Sequence, residues 1–520
     1  MIRDQQEADT EERRWWRSID PLVGVVGVTA LIVYILHGFD GSLQRDVAIY
    51  SYGAQQVVEG VPPYVSLLNR AGPLAHFVPA VGVAAARAFG FNDVFGMRVL
   101  FMLLSVASVC VMYVLARKLF GSRLAGLAGA AALLSFHGFI RYATYGPREK
   151  TIMVLLLLCT LLAVANHRWF ATGLCVSLAT LVWQPVFVVG LAAALSAALS
   201  LRRSERISAL VRIALGGMVP AALCVIYFVL IGAFREFIDA FLLINARYTI
   251  PAPFMGDPAH RWMKLQGGYG VSLWVIVVGL VALVILTLVA IRREGWRAPA
   301  RLPVAAVGAA CLVAVAWTLR DFNSWPDAFP LLPAAAAGIG GIAKVLIDRL
   351  AARVAGSLVL AWIVASGAIA VSFSITHQQY ELKEQQESVE AMLAQLPPDA
   401  SIQSIGAPQA LVLSRMRNPT RHQMFERGLE DYVEETWPGG LSGFAQWIGR
   451  EQPTIISLSR PLDWLRPLLM AEYRRAGRAP GWRWFVHRSV ATNVRMGQAA
   501  ETDELGSDEA VERVWGRNTK

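Results

Sequence analysis

The sequence predicts an α-helical polytopic membrane protein with about 11 transmembrane helices and a soluble α/β domain at the C-terminal end. Three observations favour this fold class. Hydrophobic residues make up 55% of the 520 residues and charged residues only 17%, against roughly 25% charged residues in a typical soluble domain. Ten apolar runs have about the length that a membrane span requires. About 145 residues of mixed composition follow the last run.

The apolar runs lie between residues 21 and 374. They are Pro21–His37, Met97–Ala116, Leu124–Ile140, Thr151–Asn166, Trp169–Ser200, Ile207–Ile231, Val271–Ile291, Leu302–Thr318, Ala328–Leu346 and Val354–Ser374. The fifth run is about 32 residues long and holds Gln184 and Pro185 near its middle. Because proline removes a backbone donor and favours a break, we interpret this run as two short spans that meet at Gln184.

An eleventh apolar stretch, Pro73–Phe89, is interpreted differently. It is short and contains Pro79 and Arg87, so we predict a helix that lies in the membrane interface or dips into it. The charge pattern supports this choice, because counting it as a full span would place the basic segment 117–123 outside. With the N-terminus in the cytoplasm, six basic segments fall on the cytoplasmic side, as the positive-inside rule requires.

This topology divides the chain into four regions. They are a cytoplasmic N-terminal tail at 1–20, a transmembrane domain at 21–375 with a first outer loop at 38–96, an extracytoplasmic soluble domain at 376–500 and a disordered tail at 501–520. In the soluble domain, LPPDASIQSIG and PTIISLS are typical of short strands and GFAQWIG of a helix. We therefore expect a multi-pass cell-membrane protein whose C-terminal domain lies outside.

Composition and motifs exclude several functions. The net charge of +10 is typical of basic cytoplasmic loops in a membrane protein and does not indicate nucleic-acid binding. The five cysteines all lie in apolar runs and give neither a disulfide framework nor a metal-ligand spacing. The chain has no phosphate-binding glycine motif, so nucleotide-driven transport is not expected, and we predict no cofactor and no metal.

The first outer loop holds the first set of candidate residues. Asp40 and Asp46 follow the first span, and Tyr64, Arg70 and His76 come later in the loop. Residues 47–58 have helical periodicity, so Asp46 is either the N-cap of that helix or a site residue that faces a cavity. His76 either orients a ligand or is a buried interfacial histidine.

Three further outer loops contain basic residues where the positive-inside rule disfavours them. Their candidate residues are Arg148, Glu149 and Lys150 in RYATYGPREK, Arg247 and Tyr248 in INARYTI, and Arg320 in LRDFNSWPD. Arginine suits a phosphate because its planar guanidinium binds two oxygens. The alternative, for Arg141 in particular, is snorkelling of a long basic side chain to the headgroups.

The order of motifs resembles a known superfamily. An aspartate soon after the first span is followed by YSYG, by EGVPPY and by NRAGPLAH. This order resembles the GT-C superfamily of polytopic glycosyltransferases, and most of all its dolichyl- and polyprenyl-phosphate-mannose mannosyltransferases. The resemblance covers about residues 21–374. It implies a catalytic carboxylate at Asp46, with Asp40 as the second choice, and a lipid-phosphate contact at Arg70. It also places Glu149 where a second acidic motif often stands.

The resemblance implies transfer of a sugar, mannose first, from a polyprenyl-phosphate donor to a glycan or glycolipid acceptor at the outer face of the bilayer. Asp46 would be the general base of an inverting displacement, with Arg70, Arg148 and Lys150 on the phosphate. Two alternatives stay open. One is a non-catalytic lipid- or glycan-binding protein of the same fold. The other is a transporter of a lipid-linked sugar, for which Gln184 is the one candidate residue inside a span.

Overall fold

The computed structural model describes residues 20–249, 254, 256–426 and 428–490. The predicted cytoplasmic tail before Asp20 and the predicted disordered tail at 501–520 lie outside these residues. The described part of the chain is mostly helical and carries one small sheet near its C-terminal end.

The first half of the helical part begins with the first predicted span and includes the two helices of the first outer loop. Its helices are α1 (Pro21–His37), α2 (Arg45–Val58), α3 (Leu74–Ala88), α4 (Asp93–Phe120), α5 (Arg123–Ser135), α6 (His137–Thr144), α7 (Glu149–Ala165), α8 (Trp169–Val182), α9 (Val186–Leu199) and α10 (Arg203–Leu230). The chain breaks at residues 183–185, as Pro185 predicts, and each of the two helices beside this break has 14 residues.

The second half contains a bent outer segment and four long helices. Its helices are α11 (Phe234–Ile238), a π-helical turn (Asp239–Leu243), α12 (Ile244–Arg247), α13 (Pro258–Tyr269), α14 (Ser272–Glu294), a 3₁₀ turn (Gly295–Arg297), α15 (Ala298–Arg301), α16 (Pro303–Arg320), a 3₁₀ helix (Trp325–Leu331), α17 (Leu332–Arg349) and α18 (Ala352–Thr376). Residues 234–247 are helical, with the π turn in the middle.

Six helical stretches within the described residues are long and apolar enough to cross a membrane. They are Asp93–Phe120, Arg203–Leu230, Ser272–Arg301, Pro303–Arg320, Trp325–Arg349 and Ala352–Leu393. A seventh requires α5 and α6 to count as one span, although they meet at an angle of 69°. Length and composition therefore do not confirm the count of about 11. The sequence run at 124–140 is one apolar segment, but the chain bends within it at Phe136.

The first outer loop forms two helices, α2 and α3, in agreement with the prediction of helices at 47–58 and 73–89. Helix α3 packs closely against α4 because glycines face each other at the crossing. A Cβ atom at Gly82 would lie 2.8 Å from the Cα atom of Met97, which is too close for any side chain. This contact holds α3 beside the long helix α4 and fixes the position of the loop that precedes it.

The C-terminal part combines a four-stranded sheet with short helices. Its elements are α19 (Glu381–Leu393), β1 (Ile402–Ile405), α20 (Pro408–Ser414), α21 (Leu429–Thr436), α22 (Gly440–Glu451), β2 (Ile455–Leu458), α23 (Arg466–Glu472), β3 (Tyr473–Ala479) and β4 (Trp482–His487). The strand order is β1-β2-β4-β3, with β1 and β2 parallel and the other pairs antiparallel. Strands β1 and β2 and helix α22 were predicted, whereas the β3–β4 hairpin was not.

This C-terminal part rests on the first outer loop. The Leu382 amide donates to the Asp40 carbonyl at 3.1 Å, and the Leu68 amide donates to the Arg421 carbonyl at 2.7 Å. The Asn418 amide donates to the Tyr52 hydroxyl at 3.0 Å. Because these bonds reach the beginning, middle and end of the loop, the C-terminal part covers α2 and closes a space above its first turn.

Candidate functional site

Asp46 lies in the first turn of α2, where the N-cap position belongs to Gln44. The N-cap interpretation of Asp46 is therefore wrong, because its carboxylate binds side chains instead of capping the helix. Its Oδ2 accepts a hydrogen bond from Arg148 Nη1 at 2.5 Å, and its Oδ1 lies 3.6 Å from Arg45 Nε. The dipole of α2 adds a favourable field at this end of the helix.

Arg148 reaches Asp46 from the turn that precedes α7. Its side chain is only 9% exposed, lies with its guanidinium 5.5 Å from the ring centroid of Tyr142, and has its Nε 3.2 Å from Glu149 Oε2. Burial opposes the charge of Arg148, but the carboxylates of Glu149 and Asp46 hold its pKa well above the ordinary value. One buried guanidinium thus joins two of the predicted acidic residues.

The pKa of the Asp46 carboxyl group is lowered, so the group is ionised near neutral pH. Burial alone would raise the pKa of its carboxyl group, but Arg148, followed by Arg45 and Lys150, lowers it to about 2. Its side chain is nevertheless 42% exposed. The carboxylate is therefore accessible to a ligand, while the guanidinium behind it is not.

Asp46 opens onto a cavity of about 550 Å³ between the first outer loop and the C-terminal part. Gln44, Arg45 and Asp46 line one side, and Gln409 and Ser459 line the other. The walls therefore carry several polar side chains, and the C-terminal part supplies about half of the lining. A space of this size accommodates a small polar ligand next to the carboxylate.

Lys150 has a different partner from the one its sequence neighbours suggest. Its ammonium forms an ion pair with Asp327, from the 3₁₀ helix before α17, and lies 5.2 Å from the ring centroid of Trp183. Asp327 also accepts the backbone amides of Asn323 and Ser324 at 2.8 and 2.9 Å. Lys150 and Asp327 are both buried, so this pair connects the start of α7 to the 3₁₀ helix before α17.

The sequence gave no reason to single out Glu426, which the C-terminal part brings to the site. Its Oε1 lies 2.5 Å from Arg45 Nη2, and its charge also acts on Arg70. Burial lowers the pKa of Arg70 below the ordinary value, although Glu426 and Asp321 oppose this effect. Arg70 donates to the Tyr248 carbonyl at 3.3 Å. Glu426 lies 380 residues after Asp46 in the sequence, and no local sequence pattern indicates that the two are close.

Tyr64 and His76, both predicted to bind substrate, lie inside the protein. The hydroxyl group of Tyr64 donates to the Ala71 carbonyl at 2.7 Å, and the ring packs against Phe228 and Phe237. His76 is fully buried beside Tyr50 and Tyr64. In this structure both side chains pack the loop and neither lines the cavity next to Asp46.

The other predicted residues lie farther from Asp46. Asp40 is exposed at the end of α1, Arg247 is exposed at the end of α12, and Arg320 ends α16 with its guanidinium 6.0 Å from the ring centroid of Trp317. The hydroxyl of Tyr248 donates to Glu435 at 2.5 Å. Within the described residues, no hydrogen bond or ion pair links these four side chains to Asp46. The described residues also contain no group of three His, Cys, Asp or Glu side chains that could hold a metal ion.

The arrangement of helices was compared with known structures. ArnT from Cupriavidus metallidurans matches with a TM-score of 0.60 in the apo state and 0.61 when bound to undecaprenyl phosphate, at 13% and 15% identity. Each match covers 90% of this chain and 98% of that chain. The Archaeoglobus fulgidus oligosaccharyltransferase, tethered with an acceptor peptide, matches with a TM-score of 0.52 at 11% identity, over 89% of this chain and 73% of its own. The chain has the GT-C fold.

Both matches cover about nine tenths of this chain and therefore include the helical part and most of the C-terminal part. No protein-family model and no curated protein matches the sequence. At these identities the likeness shows the fold, and the chemistry of the site depends on the residues around Asp46.

Proposed function

We propose that the protein transfers a sugar from a polyprenyl-phosphate donor to a hydroxyl group of a glycan or glycolipid acceptor, at the outer face of the membrane. The observation that carries the proposal is the ion pair between Asp46 and Arg148, in which an accessible carboxylate that lines a cavity is paired with a buried guanidinium. The solved ArnT complex with undecaprenyl phosphate supports a lipid phosphate as the donor class. Mannose is the first sugar to test.

Asp46 acts as the general base in this proposal. It accepts the proton of the acceptor hydroxyl while the oxygen attacks the anomeric carbon, and the bond from that carbon to the phosphate oxygen breaks. Polyprenyl phosphate leaves with the electron pair. Asp46 as a base that activates the acceptor, without forming a covalent bond to the sugar, suits direct displacement with inversion, by analogy with inverting hydrolases.

Arg148 links the phosphate to the base. While it pairs with Asp46, it lowers the basicity of the carboxylate. When an anionic donor arrives, the covered side chain of Arg148 turns towards it, and the guanidinium then shares its donors between the phosphate and the carboxylate. This weakens the ion pair and restores basicity to Asp46. As the glycosidic bond breaks, negative charge grows on the phosphate, where Arg148 and Arg70 stabilise it. Lys150 contributes through its field, because Asp327 occupies its ammonium group.

The transporter alternative loses its candidate residue. The amide of Gln184 donates to the carbonyls of Arg70 and Phe241 at 2.7 and 3.3 Å. Gln184 therefore fastens two outer loops to the break between α8 and α9 and does not line a route through the membrane.

The test is sugar transfer by the purified protein in detergent, from polyprenyl-phosphate-mannose and from donors with other sugars, to a panel of glycolipid acceptors. We expect turnover by the wild type and its loss in Asp46→Asn, with Asp40→Asn as the matched control that retains it. Equal turnover in wild type and Asp46→Asn would move the base to Glu149 or Asp40. Tight binding of the lipid without turnover for any donor would instead support the non-catalytic alternative.

A further inference from the structure

A second cavity, of about 730 Å³, lies between the outer segment α11 with its π turn and the C-terminal part. Residues of the π turn and α11 form one wall, and residues 421–437 form the other. The residues that matter below are Asp239, Arg421, His422, Tyr432 and Trp437. None of them belongs to the site around Asp46, and we call this cavity the Asp239 cleft.

The Asp239 cleft is balanced in charge. Oδ2 of Asp239 accepts hydrogen bonds from Arg421 Nη2, at 3.1 Å, and from the Tyr432 hydroxyl. Arg235 and Glu236, which also line the cleft, carry one further charge of each sign. An anion such as a phosphate would find no net attraction here.

The cleft nevertheless contains polar atoms without a partner. His422 is 6% exposed, and its Nδ1 and the Oε2 of Glu236 have no hydrogen-bond partner within the described residues. A buried polar atom without a partner costs free energy that a hydrogen-bonding ligand recovers. Beside them Trp437 stands perpendicular to the His422 ring at a centroid distance of 5.4 Å. A sugar offers both kinds of contact. Its hydroxyl groups can bond to the polar atoms, and the apolar face of its ring can pack against the tryptophan.

The cleft and the site around Asp46 share one short segment of chain. His422 lines the cleft, and Glu426, four residues later, pairs with Arg45 next to Asp46. Four residues span at most about 14 Å. That reach is comparable to the length of a few sugar units, so the two sites are near enough in the chain for one short oligosaccharide to contact both.

We propose that the Asp239 cleft binds neutral, hydroxyl-rich sugar units of the acceptor, away from the reacting hydroxyl group. The inference rests on the proposed function, because it assigns the acceptor to an oligosaccharide class. Trp437 supplies the surface for a sugar ring, and His422 and Glu236 supply hydrogen bonds to its hydroxyl groups. The pair between Asp239 and Arg421 holds the two walls together.

The experiment measures binding of a panel of neutral tri- and tetrasaccharides to the full chain in detergent, by saturation-transfer NMR and titration. We expect at least one to bind, and Trp437→Ala to weaken its affinity about tenfold through loss of the ring contact. His422→Phe, which preserves the aromatic packing but removes the unpaired nitrogen, should weaken it as well. Trp296→Ala, at an exposed tryptophan outside the cleft, is the matched control and should leave affinity unchanged.

Unchanged affinity in both cleft variants, or no binding by any member of the panel, overturns the inference. Binding of inorganic phosphate that depends on Arg421 also overturns it, because the ligand would then be an anion. Asp46→Asn separates this inference from the proposed function, since it should abolish transfer and retain oligosaccharide binding. Binding that survives in a protein without any transferase activity would leave the cleft assigned and refute the proposed function.

Discussion

Arg148 and Lys150 are two residues apart in the same outer turn, yet they take part in different kinds of ion pair. Arg148 is buried but holds Asp46, whose side chain is 42% exposed to the cavity. Lys150 holds Asp327, and only 6% and 12% of these two side chains are exposed. In the first pair a ligand can reach the carboxylate, whereas both side chains of the second pair are buried, next to Trp183 and in the 3₁₀ helix.

This difference shows that a cation in an outer loop is not by itself a phosphate contact. A pair with one exposed partner can exchange that partner for a ligand. A pair with two buried partners stabilises the fold only while both remain, since removing either leaves an uncompensated charge. The comparison predicts that variants of the first pair change catalysis and that variants of the second change stability.

The largest effect is expected for Asp46→Asn. Loss of the proposed base should lower kcat about 10²–10⁴-fold, while the unfolding temperature stays close to that of the wild type because Arg148 retains Glu149 as a partner. Steady-state kinetics and thermal unfolding of the same preparation measure both. A large fall in the unfolding temperature of Asp46→Asn would show that the pair of Asp46 and Arg148 stabilises the fold as the pair of Lys150 and Asp327 does. The two pairs would then not differ in function.

Lys150→Met should reduce the free energy of unfolding by about 3–5 kcal/mol, because it leaves the buried carboxylate of Asp327 without its partner. Denaturant or thermal unfolding in detergent measures this loss. The double variant Lys150→Met/Asp327→Asn keeps an acceptor for the amides of Asn323 and Ser324 and should recover much of the stability. If Lys150→Met is as stable as the wild type but has a raised KM for the donor, Lys150 is a phosphate contact after all.

Arg148→Gln should move the acidic limb of the kcat/KM profile to higher pH. Removing this guanidinium takes away the main influence that lowers the pKa of Asp46 to about 2, so the pKa rises towards the ordinary 3.8. A base with a higher pKa is protonated at higher pH, and activity is lost earlier on acidification. Arg45→Gln is the matched control and should give a smaller shift in the same direction, because Arg45 lowers the pKa of Asp46 less than Arg148 does. A profile unchanged in both variants would indicate another base.

Glu426→Gln should change the free energy of unfolding by at most about 1 kcal/mol, because Arg45 and Glu426 are both 37% exposed and pairs of this kind are screened by water and salt. Unfolding curves at low and high salt measure the difference, which should shrink as salt rises. A loss as large as that of Lys150→Met would mean that this contact holds the C-terminal part onto the first outer loop.

Much of the fold follows from local pattern. Helix α2 was predicted from its periodicity, and the break before α9 from Pro185, since both signals act within one or two turns of chain. The number of spans was not settled in this way. Apolar composition does not reveal a bend such as the one at Phe136, and helices of 14 residues are too short to span a bilayer unaided.

The sequence by itself determined the class of protein and brought Asp46, Arg148 and Glu149 forward as candidates, because charges in outer loops of an apolar chain are few. Only the tertiary structure decided which cation pairs with the carboxylate at the cavity and which is buried against Asp327. Only the structure brought Glu426 to Arg45 and built the Asp239 cleft. The physical reason is that ion pairing and burial depend on distances between segments far apart in sequence, and these distances are set by packing of whole helices rather than by local composition.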